Sequence, residues 1–373
     1  MNQMLPVRTE PITLPNGTTR LTVVDRTGGL VDPVDRYLEY LVATNSSTNT
    51  VRSYARHLAL FFRWLDERGA DWEHLTFDAL CAFGIDLQDG TLRTYYRRGK
   101  PRPVTPRSRA TCEAVMAAVY SFLDYWRLEG RGPADLRLYR DATTRRRSTH
   151  AFLAHIEHQR PQQERRLRFR GPKSALPKVI DFEDDFARLA AAASTYRDQT
   201  LLSAMYDGGL RIGQAIGLHH EDIDIARKRV RVVRRDDNAN GALSKQRSEF
   251  VVDMPPRFIT YYGFSLTDEQ LALGITSDYV FVNLSAANRG APMKYENAKQ
   301  IVSGIGRRAG IRLTPHTLRH THGTALAKQG WSAPQIAARL GHSANTSADV
   351  YIHLAEDDIE SKYATTSMAE REA

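Results

Sequence analysis

The stretch MYDGGLRIGQAIGLHHEDID, residues 205–224, places a Gly-Gly pair just before an arginine and a run of apolar residues at helical spacing. The glycines let the backbone turn sharply ahead of Leu210. Ile212, Ala215, Ile216 and Leu218 then recur as the buried stripe of an amphipathic helix that Arg211 opens. A cation is poorly placed there for the helix dipole, which favours anions at a helix start. It is well placed to share a bound anion with the helix terminus. A surface ion pair would account for one such arginine equally well, so its meaning depends on the rest of the chain.

Further along, RLTPHTLRHTHGTALAKQG (312–330) carries its own helix punctuation: Thr314 as cap, Pro315 in the first turn and Gly330 past the end. His316 and Arg319 share a face of that helix. His316 and His320 also stand four apart, as in a zinc-protease helix. Thr317 occupies the place of the glutamate such a site needs, and no carboxylate follows nearby, which argues against a metal. In LGHSANTSADVYIHL (340–354), Ser332 and Pro334 upstream start a helix that Gly341 ends, presenting His342. Thr346 or Ser347 can cap a short helix carrying Tyr351. A lone tyrosine on a helix is ordinarily core. Between these segments, Val230–Val233 and Phe250–Val252 read as a strand pair flanking the loop DDNANGALSKQRS, whose single lysine is Lys245. A lysine at a hairpin tip is ordinarily solvated decoration.

At 373 residues the chain exceeds the size at which one core stops growing, so two domains are expected. Residues 1–31 contain two alternating runs around Asn16-Gly17, read as a β-arm with a type I′ turn. In STNTVRSYARHLALFFRWLDERG, residues Val51, Tyr54, Leu58, Phe61 and Leu65 form a helical stripe ended by Gly69. The other face of that helix carries Arg52, Arg56, Arg63 and Arg68. A second long helix is expected to start at Thr105-Pro106 and run through Val115, Val119, Phe122 and Trp126. Residues 32–130 thus read as an all-helical domain. Helices near 182–194 and 197–207, the strand pair and a helical C-terminal half make up a second domain over 177–373.

The formal charge of +9 points to a polyanionic partner, whether nucleic acid, acidic lipid or protein. Residues 131–178 hold thirteen Lys/Arg against four acids, an excess that equals that of the whole chain. A basic connector over 131–176, including Arg145, Arg146, Arg147, Arg165, Arg166, Arg168 and Arg170, is therefore expected to track a phosphate backbone together with Arg52 and Arg56. A solvated charged linker is the plainer alternative. No apolar run approaches the roughly eighteen residues of a membrane span, and MNQMLPVRTE lacks the layout of a secretory signal. Two cysteines, Cys81 and Cys112, are too few for a disulfide framework. These features place the expectation in a reducing cytoplasm, with no membrane partner.

Taken together, GLRIGQAIGLHHEDID, Lys245, PHTLRHTHGTAL and LGHSANTSADVYIHL resemble, in order, the first-arginine box, the hairpin lysine, the His-x-x-Arg box and the His-to-Tyr segment of the tyrosine recombinases, the phage integrase family. STNTVRSYARHLALFFRWL likewise resembles that family's helical core-binding domain. The resemblance covers roughly residues 32–360, and it is the four boxes in sequence that make it specific. One departure is Gln214, three residues after the first arginine, where the family usually shows a carboxylate; an amide can hydrogen-bond but supplies no charge.

The resemblance implies a mainly α fold with a small antiparallel β-sheet, in which a SAM-like core-binding domain and an α+β catalytic domain form a C-shaped DNA clamp. It implies the catalytic set Arg211, Lys245, His316, Arg319, His342 and Tyr351, with Tyr351 the nucleophile that joins a 3′ phosphate. Two guanidiniums can each offer paired N–H donors to the non-bridging oxygens of a phosphate and stay protonated throughout. A phenol with an ordinary pKa of about 10 needs neighbouring positive charge, and His316 is the expected proton acceptor. By the resemblance, Lys245 protonates the leaving 5′ hydroxyl and His342 donates to a phosphate oxygen. No cofactor, metal or ATP is implied. Expected partners are duplex core-site DNA, a second copy on that site, a tetrameric synapse and accessory proteins. The tail 355–373 is either a helix docking on a neighbour or a frayed end. Two alternatives stay open: a catalytically silent DNA-binding protein of this fold and a monomeric enzyme of the type IB topoisomerase kind.

Overall fold

A computed structural model describes residues 5–13, 17, 19–92, 105–141, 163–169, 171, 179–180, 184–235, 237–242, 249–341 and 351. It divides into two compact units, with the boundary between Ala175 and Leu176.

The first unit begins with strands β1 (Arg8–Thr13) and β2 (Thr19–Val24), antiparallel with Arg8 opposite Val24 and Thr13 opposite Thr19. Gly17 lies in the left-handed region at φ +78°, as a tight turn of this kind requires. Four helices follow: α1 (Asp32–Ala43), α2 (Thr48–Arg68), α3 (Phe77–Asp89) and α4 (Arg109–Leu128). Helix α2 starts where the Ser47 hydroxyl accepts from Thr50 N at 3.2 Å and ends on Gly69 at φ +60°. Of its expected stripe, Val51, Leu58, Phe61 and Leu65 are buried among Leu38, Phe83, Val119, Phe122 and Trp126, and Tyr54 packs half-buried against them. Edge-on ring contacts such as Phe61–Phe83 and Trp72–Phe122, both 5.2 Å between centroids, fill this core.

The structure corrects three expectations in this unit. The hairpin at 1–31 is not a free arm, since Val7 and Val23 sit in the helical core. Arg63 is not on a solvent face of α2. It is buried, and its Nε and Nη2 donate to the Val7 carbonyl at 2.9 and 2.5 Å, tying the hairpin to the helix. Helix α4 is capped by Ser108, which accepts from Thr111 N at 3.3 Å, rather than by Thr105. The Thr105 carbonyl lies so close to Gly90 that an added Cβ would stand 2.3 Å from it, so Thr105 and Pro106 are packed against the end of α3.

The stretch expected to be a connector is, in its described parts, built into the first unit. Strands β3 (Tyr139–Asp141) and β4 (Gln163–Arg165) pair antiparallel, and Leu136, Leu138 and Phe169 enter the same core as the helices. Leu167 and Phe169 seat over Gly84 of α3, where a Cβ would meet Leu167 Cδ2 at 2.8 Å.

The second unit is helical around a three-stranded sheet. Helices α5 (Asp184–Ala192), α6 (Tyr196–Tyr206) and α7 (Ile212–Ile216) lead to strands β5 (Ile223–Asp224), β6 (Arg229–Val232) and β7 (Phe250–Asp253), ordered β5-β6-β7 and antiparallel, with Val230 opposite Val252. Helix α8 (Pro256–Phe264) runs on into a wide π-helical segment, Ser265–Leu271. That segment brings the Glu269 carboxylate to the start of α6, where it accepts from Tyr196 N and Arg197 N at 2.7 and 2.9 Å. Helices α9 (Tyr295–Ala309), α10 (Pro315–Lys328) and α11 (Ala333–Leu340) complete the unit. No described helix is long and apolar enough to cross a membrane.

Candidate active site

Three short segments build the site, each shaped by a local rule. Helix α6 ends at Tyr206, and Asp207, Gly208 and Gly209 form the turn ahead of Arg211. Gly209 has φ +61°, and a Cβ there would stand 2.6 Å from both His322 Cδ2 and Leu340 Cδ2. A Cβ on Gly208 would stand 2.7 Å from the Ala204 carbonyl, so both glycines are sterically required. The turn is anchored by Asp207, which is buried, accepts from Ser203 Oγ at 2.6 Å and pairs with the Arg257 guanidinium.

Arg211 is the residue preceding α7, as the sequence pattern implies. Its backbone N–H donates to Gln214 Oε1 at 2.8 Å. That is the reciprocal bond of a helix-start capping box, for which Gln serves as well as Glu. The amide that departs from the family pattern therefore keeps the backbone arrangement of a carboxylate and gives up only the charge. Arg211 Nη1 is buried with no hydrogen-bond partner among the described residues.

Arg319 lies inside α10, whose start is capped by Thr314 accepting from Thr317 N at 3.2 Å. Its side chain is held at two points: Nη1 donates to the Gly209 carbonyl at 2.5 Å and Nη2 to the Leu340 carbonyl at 2.7 Å. Burial pushes its pKa down to about 9, and the nearby Arg211 charge adds to that shift, so the group is still a cation at neutral pH. Arg319 also hydrogen-bonds the Tyr351 phenol oxygen.

Tyr351 is 2% exposed and packs against Gly323 of α10, where a Cβ would stand 2.8 Å from Cδ1 and Cε1 of the ring. Burial raises the phenol's pKa, and the positive charges of Arg319 and Arg211 pull it back down. The structure thus brings together Arg211, Arg319 and Tyr351, from widely separated parts of the chain. Lys245 and His342 lie outside the described residues. The approach to Lys245 is described as far as Ala242: Asn240 Nδ2 donates to the carbonyls of Ile216 and Met293 at 2.8 and 2.9 Å, fastening the loop to the end of α7.

His316 is exposed on α10, with its ring 6.2 Å from that of His320. His320, a residue the sequence suggested only as a metal ligand, lies beside Tyr351 at 5.6 Å between ring centroids. Burial lowers the His320 pKa to about 4, with the His316 and Arg319 charges adding, so its ring is neutral near pH 7. Among the described residues no group of three or more His, Cys, Asp or Glu could hold a metal ion. Sequence reasoning also missed Gly323 and His322. A glycine inside a helix pattern is a signal for close packing; the burial of His322 has no local sequence signal.

The basic residues proposed from sequence divide. Arg52 and Arg56 are exposed on α2. Arg165 lies 5.4 Å from the Tyr120 ring centroid, Arg166 lies 3.8 Å over the Phe77 ring, and Arg168 pairs with Glu164. These three are engaged within the first unit, which fixes their side chains while leaving their charge. Arg145, Arg146, Arg147 and Arg170 are outside the described residues.

Comparison with known proteins places this architecture. Residues 180–358 match the model of the phage integrase family, and residues 34–130 match that of the phage integrase N-terminal SAM-like domain. Transposase A from transposon Tn554 of Staphylococcus aureus is 30% identical over 342 residues, covering 91% of this chain and 92% of the transposase. Tyrosine recombinase XerC of Roseiflexus castenholzii is 25% identical over 343 residues, covering 89% and 92%. Among solved structures, XerH site-specific recombinase in a post-cleavage complex with its difH substrate superposes with a TM-score of 0.59 at 16% identity, covering 90% of this chain and 86% of that one. A lambda integrase dimer bound to a COC′ core site gives a TM-score of 0.53 at 14% identity, covering 86% and 94%.

Proposed function

The chain belongs to the phage integrase family, and from that premise we propose that it is a site-specific DNA recombinase of the integrase or transposase type. The observation that carries this is the contact of the Tyr351 phenol with the Arg319 guanidinium inside the field of Arg211. A buried phenol beside two cations is a nucleophile whose developing negative charge is stabilised where it forms.

In the proposed reaction a DNA phosphate enters beside Arg211 and Arg319. Arg211 has a buried N–H donor without a partner among the described residues. Leaving a buried donor unpaired is costly, and an incoming non-bridging oxygen relieves that cost. Arg319 keeps its carbonyl bonds and presents its remaining N–H groups. The Tyr351 oxygen attacks phosphorus, the bond to the 5′ oxygen breaks, and a 3′-phosphotyrosine holds the cut strand. The phenol proton passes to a base, His316 by family resemblance, with His320 also beside the ring. Lys245 protonates the departing oxygen and His342 donates to the phosphate. The energy of the phosphodiester is kept in the adduct, so a second 5′ hydroxyl can attack it without ATP. The arginines supply the charge stabilisation that a divalent cation supplies in other phosphoryl transfers.

Arg52, Arg56 and the basic residues of 131–176 are proposed to contact the duplex backbone, which makes affinity fall steeply with salt. A dimer on a core site and a tetramer in the synapse are the expected assemblies. The relatedness to a transposon-encoded transposase favours a mobile-element role.

The test is a nicked suicide duplex carrying DNA that flanks the gene. The wild-type chain should form a covalent adduct resistant to denaturing electrophoresis and insensitive to EDTA, and Tyr351→Phe should form none. No adduct on any flanking sequence would overturn the proposal in favour of the DNA-binding reading. Adduct formation with relaxation of supercoils but no junction intermediate would favour the topoisomerase reading.

A further inference from the structure

The second unit contains a half-buried arginine that the proposed mechanism does not use. Arg339, in the last turn of α11, donates through Nη2 to the Asp253 carbonyl at 2.8 Å, with the Asp207 carbonyl at 3.4 Å. It thereby joins three chain ends: the exit of α11, the exit of β7 and the start of the turn that leads to Arg211. The next residue, Leu340, is linked to the same turn in two ways, through Arg319, whose Nη1 donates to the Gly209 carbonyl, and by packing. Its carbonyl accepts from Arg319 Nη2, and its side chain fills the space beside Gly209 that a Cβ would occupy.

We propose that Arg339 is a positioning residue, one that sets the exit of α11 against the Asp207–Gly209 turn. The Leu340 carbonyl would then stand in register with Arg319 Nη2, which it anchors near Arg211. The inference rests on the recombinase reading above. Gly341 closes α11 with φ +60°, and a small rotation of the last turn at Arg339 is carried into the Leu340 carbonyl that holds Arg319.

Two features argue that this is more than generic packing. The Asp207 turn has its own anchors in Ser203 and Arg257, so its conformation does not depend on Arg339. The α11 exit, by contrast, is tied to β7 by Arg339 alone among the described hydrogen bonds. The guanidinium suits the task, since one planar group can face two carbonyls at once.

The experiment compares wild type, Arg339→Met and Arg339→Lys in single-turnover cleavage of the suicide duplex, in DNA binding by gel shift and in thermal melting. Methionine keeps most of the volume and removes the donors. Its cleavage rate should fall by roughly 10- to 100-fold, the loss associated with an ångström-scale misplacement of a reacting group. DNA affinity should stay within about twofold, because phosphate contacts made elsewhere dominate it. Lysine, which can still donate to either carbonyl, should recover part of the rate. Cleavage by Arg339→Met at the wild-type rate would overturn the inference. So would equal loss of binding, melting temperature and cleavage with no recovery by lysine, which is the pattern of a merely structural residue. If the wild-type chain itself forms no adduct, it is the recombinase reading that fails.

Discussion

Replacing Gly323 by alanine separates stability from nucleophile placement more cleanly than any other single change in this site. A methyl group there would lie 2.8, 2.8 and 2.9 Å from Cδ1, Cε1 and Cζ of Tyr351. Ordinary carbon contacts begin near 3.5 Å, so the ring must retreat by about 0.7 Å. The contact is with a ring packed against the helix, not the free end of a flexible chain, and the phenol oxygen moves with it. A shift of that size in a reacting atom costs on the order of 10- to 100-fold in rate. On stability two effects oppose each other: alanine gains about 1 kcal/mol of helix propensity over glycine, and overpacking costs about 1–3 kcal/mol. The expected result is a stability between that of wild type and about 2 kcal/mol below it, unchanged DNA affinity, and single-turnover adduct formation by the folded protein reduced by one to two orders of magnitude. Wild-type cleavage by Gly323→Ala would refute the reasoning, because it would show that the seat of Tyr351 on α10 is not the one from which it reacts.

Three further outcomes follow from the same geometry. Arg211→Met removes a partly buried cation that faces a second cation and has an unpaired donor; adduct formation should vanish while the urea midpoint stays level or rises by up to about 1 kcal/mol of stability, and marked destabilisation would show that Arg211 holds the fold. Gln214→Glu keeps the acceptor for the Arg211 backbone N–H and should cleave within a few-fold of wild type, whereas Gln214→Leu strands that N–H and should lose stability by about 1–3 kcal/mol together with activity; equal behaviour of the two variants would refute the capping role. His322 has its pKa pushed down to about 3, first by burial and then by the Arg339 and Arg319 charges. The unfolded chain therefore takes up a proton, near pH 6.5, that the folded chain refuses down to pH 3, and this residue's contribution to stability is complete above pH 6.5 and declines as pH falls through that window. Between pH 7 and pH 5 it should remove about 2 kcal/mol from wild type. His322→Gln should flatten that slope in urea titrations, and an unchanged slope would refute the assignment.

What the sequence made legible was what local rules write. Gly69, Thr314, Pro315, Ser332 and Gly341 mark helix ends because capping needs particular residues at particular places. The glycine pair at 208–209 announced a turn for the same reason. Long-range packing was hidden. Arg63 reads as a solvent-face residue because nothing near it in the chain says that a hairpin some 56 residues earlier will need a donor for the Val7 carbonyl. The alternation of Leu136 and Leu138, and of Leu167 and Phe169, was diluted by the arginines between them, so strands that belong to the first core read as a linker. Within the site the family pattern pointed to His316, yet burial singles out His320 and His322, and burial is a property of the whole fold.

The site's electrostatics show why such residues escape a sequence reading. Arg211 and Arg319 are like charges in a poorly solvated place: burial lowers the pKa of both, and the Arg211 charge lowers that of Arg319 further. A fold selected for stability alone would disperse them. Here backbone carbonyls, from Gly209 and Leu340, hold Arg319 in place without neutralising it, as a carboxylate would. The surrounding imidazoles, His320 and His322, are kept neutral by burial and so add no further positive charge and accept no competing anion. Among the described residues the two cations therefore have no carboxylate partner, and an incoming anion supplies the counter-charge. The resulting strain is relieved twice along the proposed reaction, first by the phosphate and then by the oxyanion of Tyr351, and it is this differential relief, larger in the transition state than in the resting protein, that would lower the barrier.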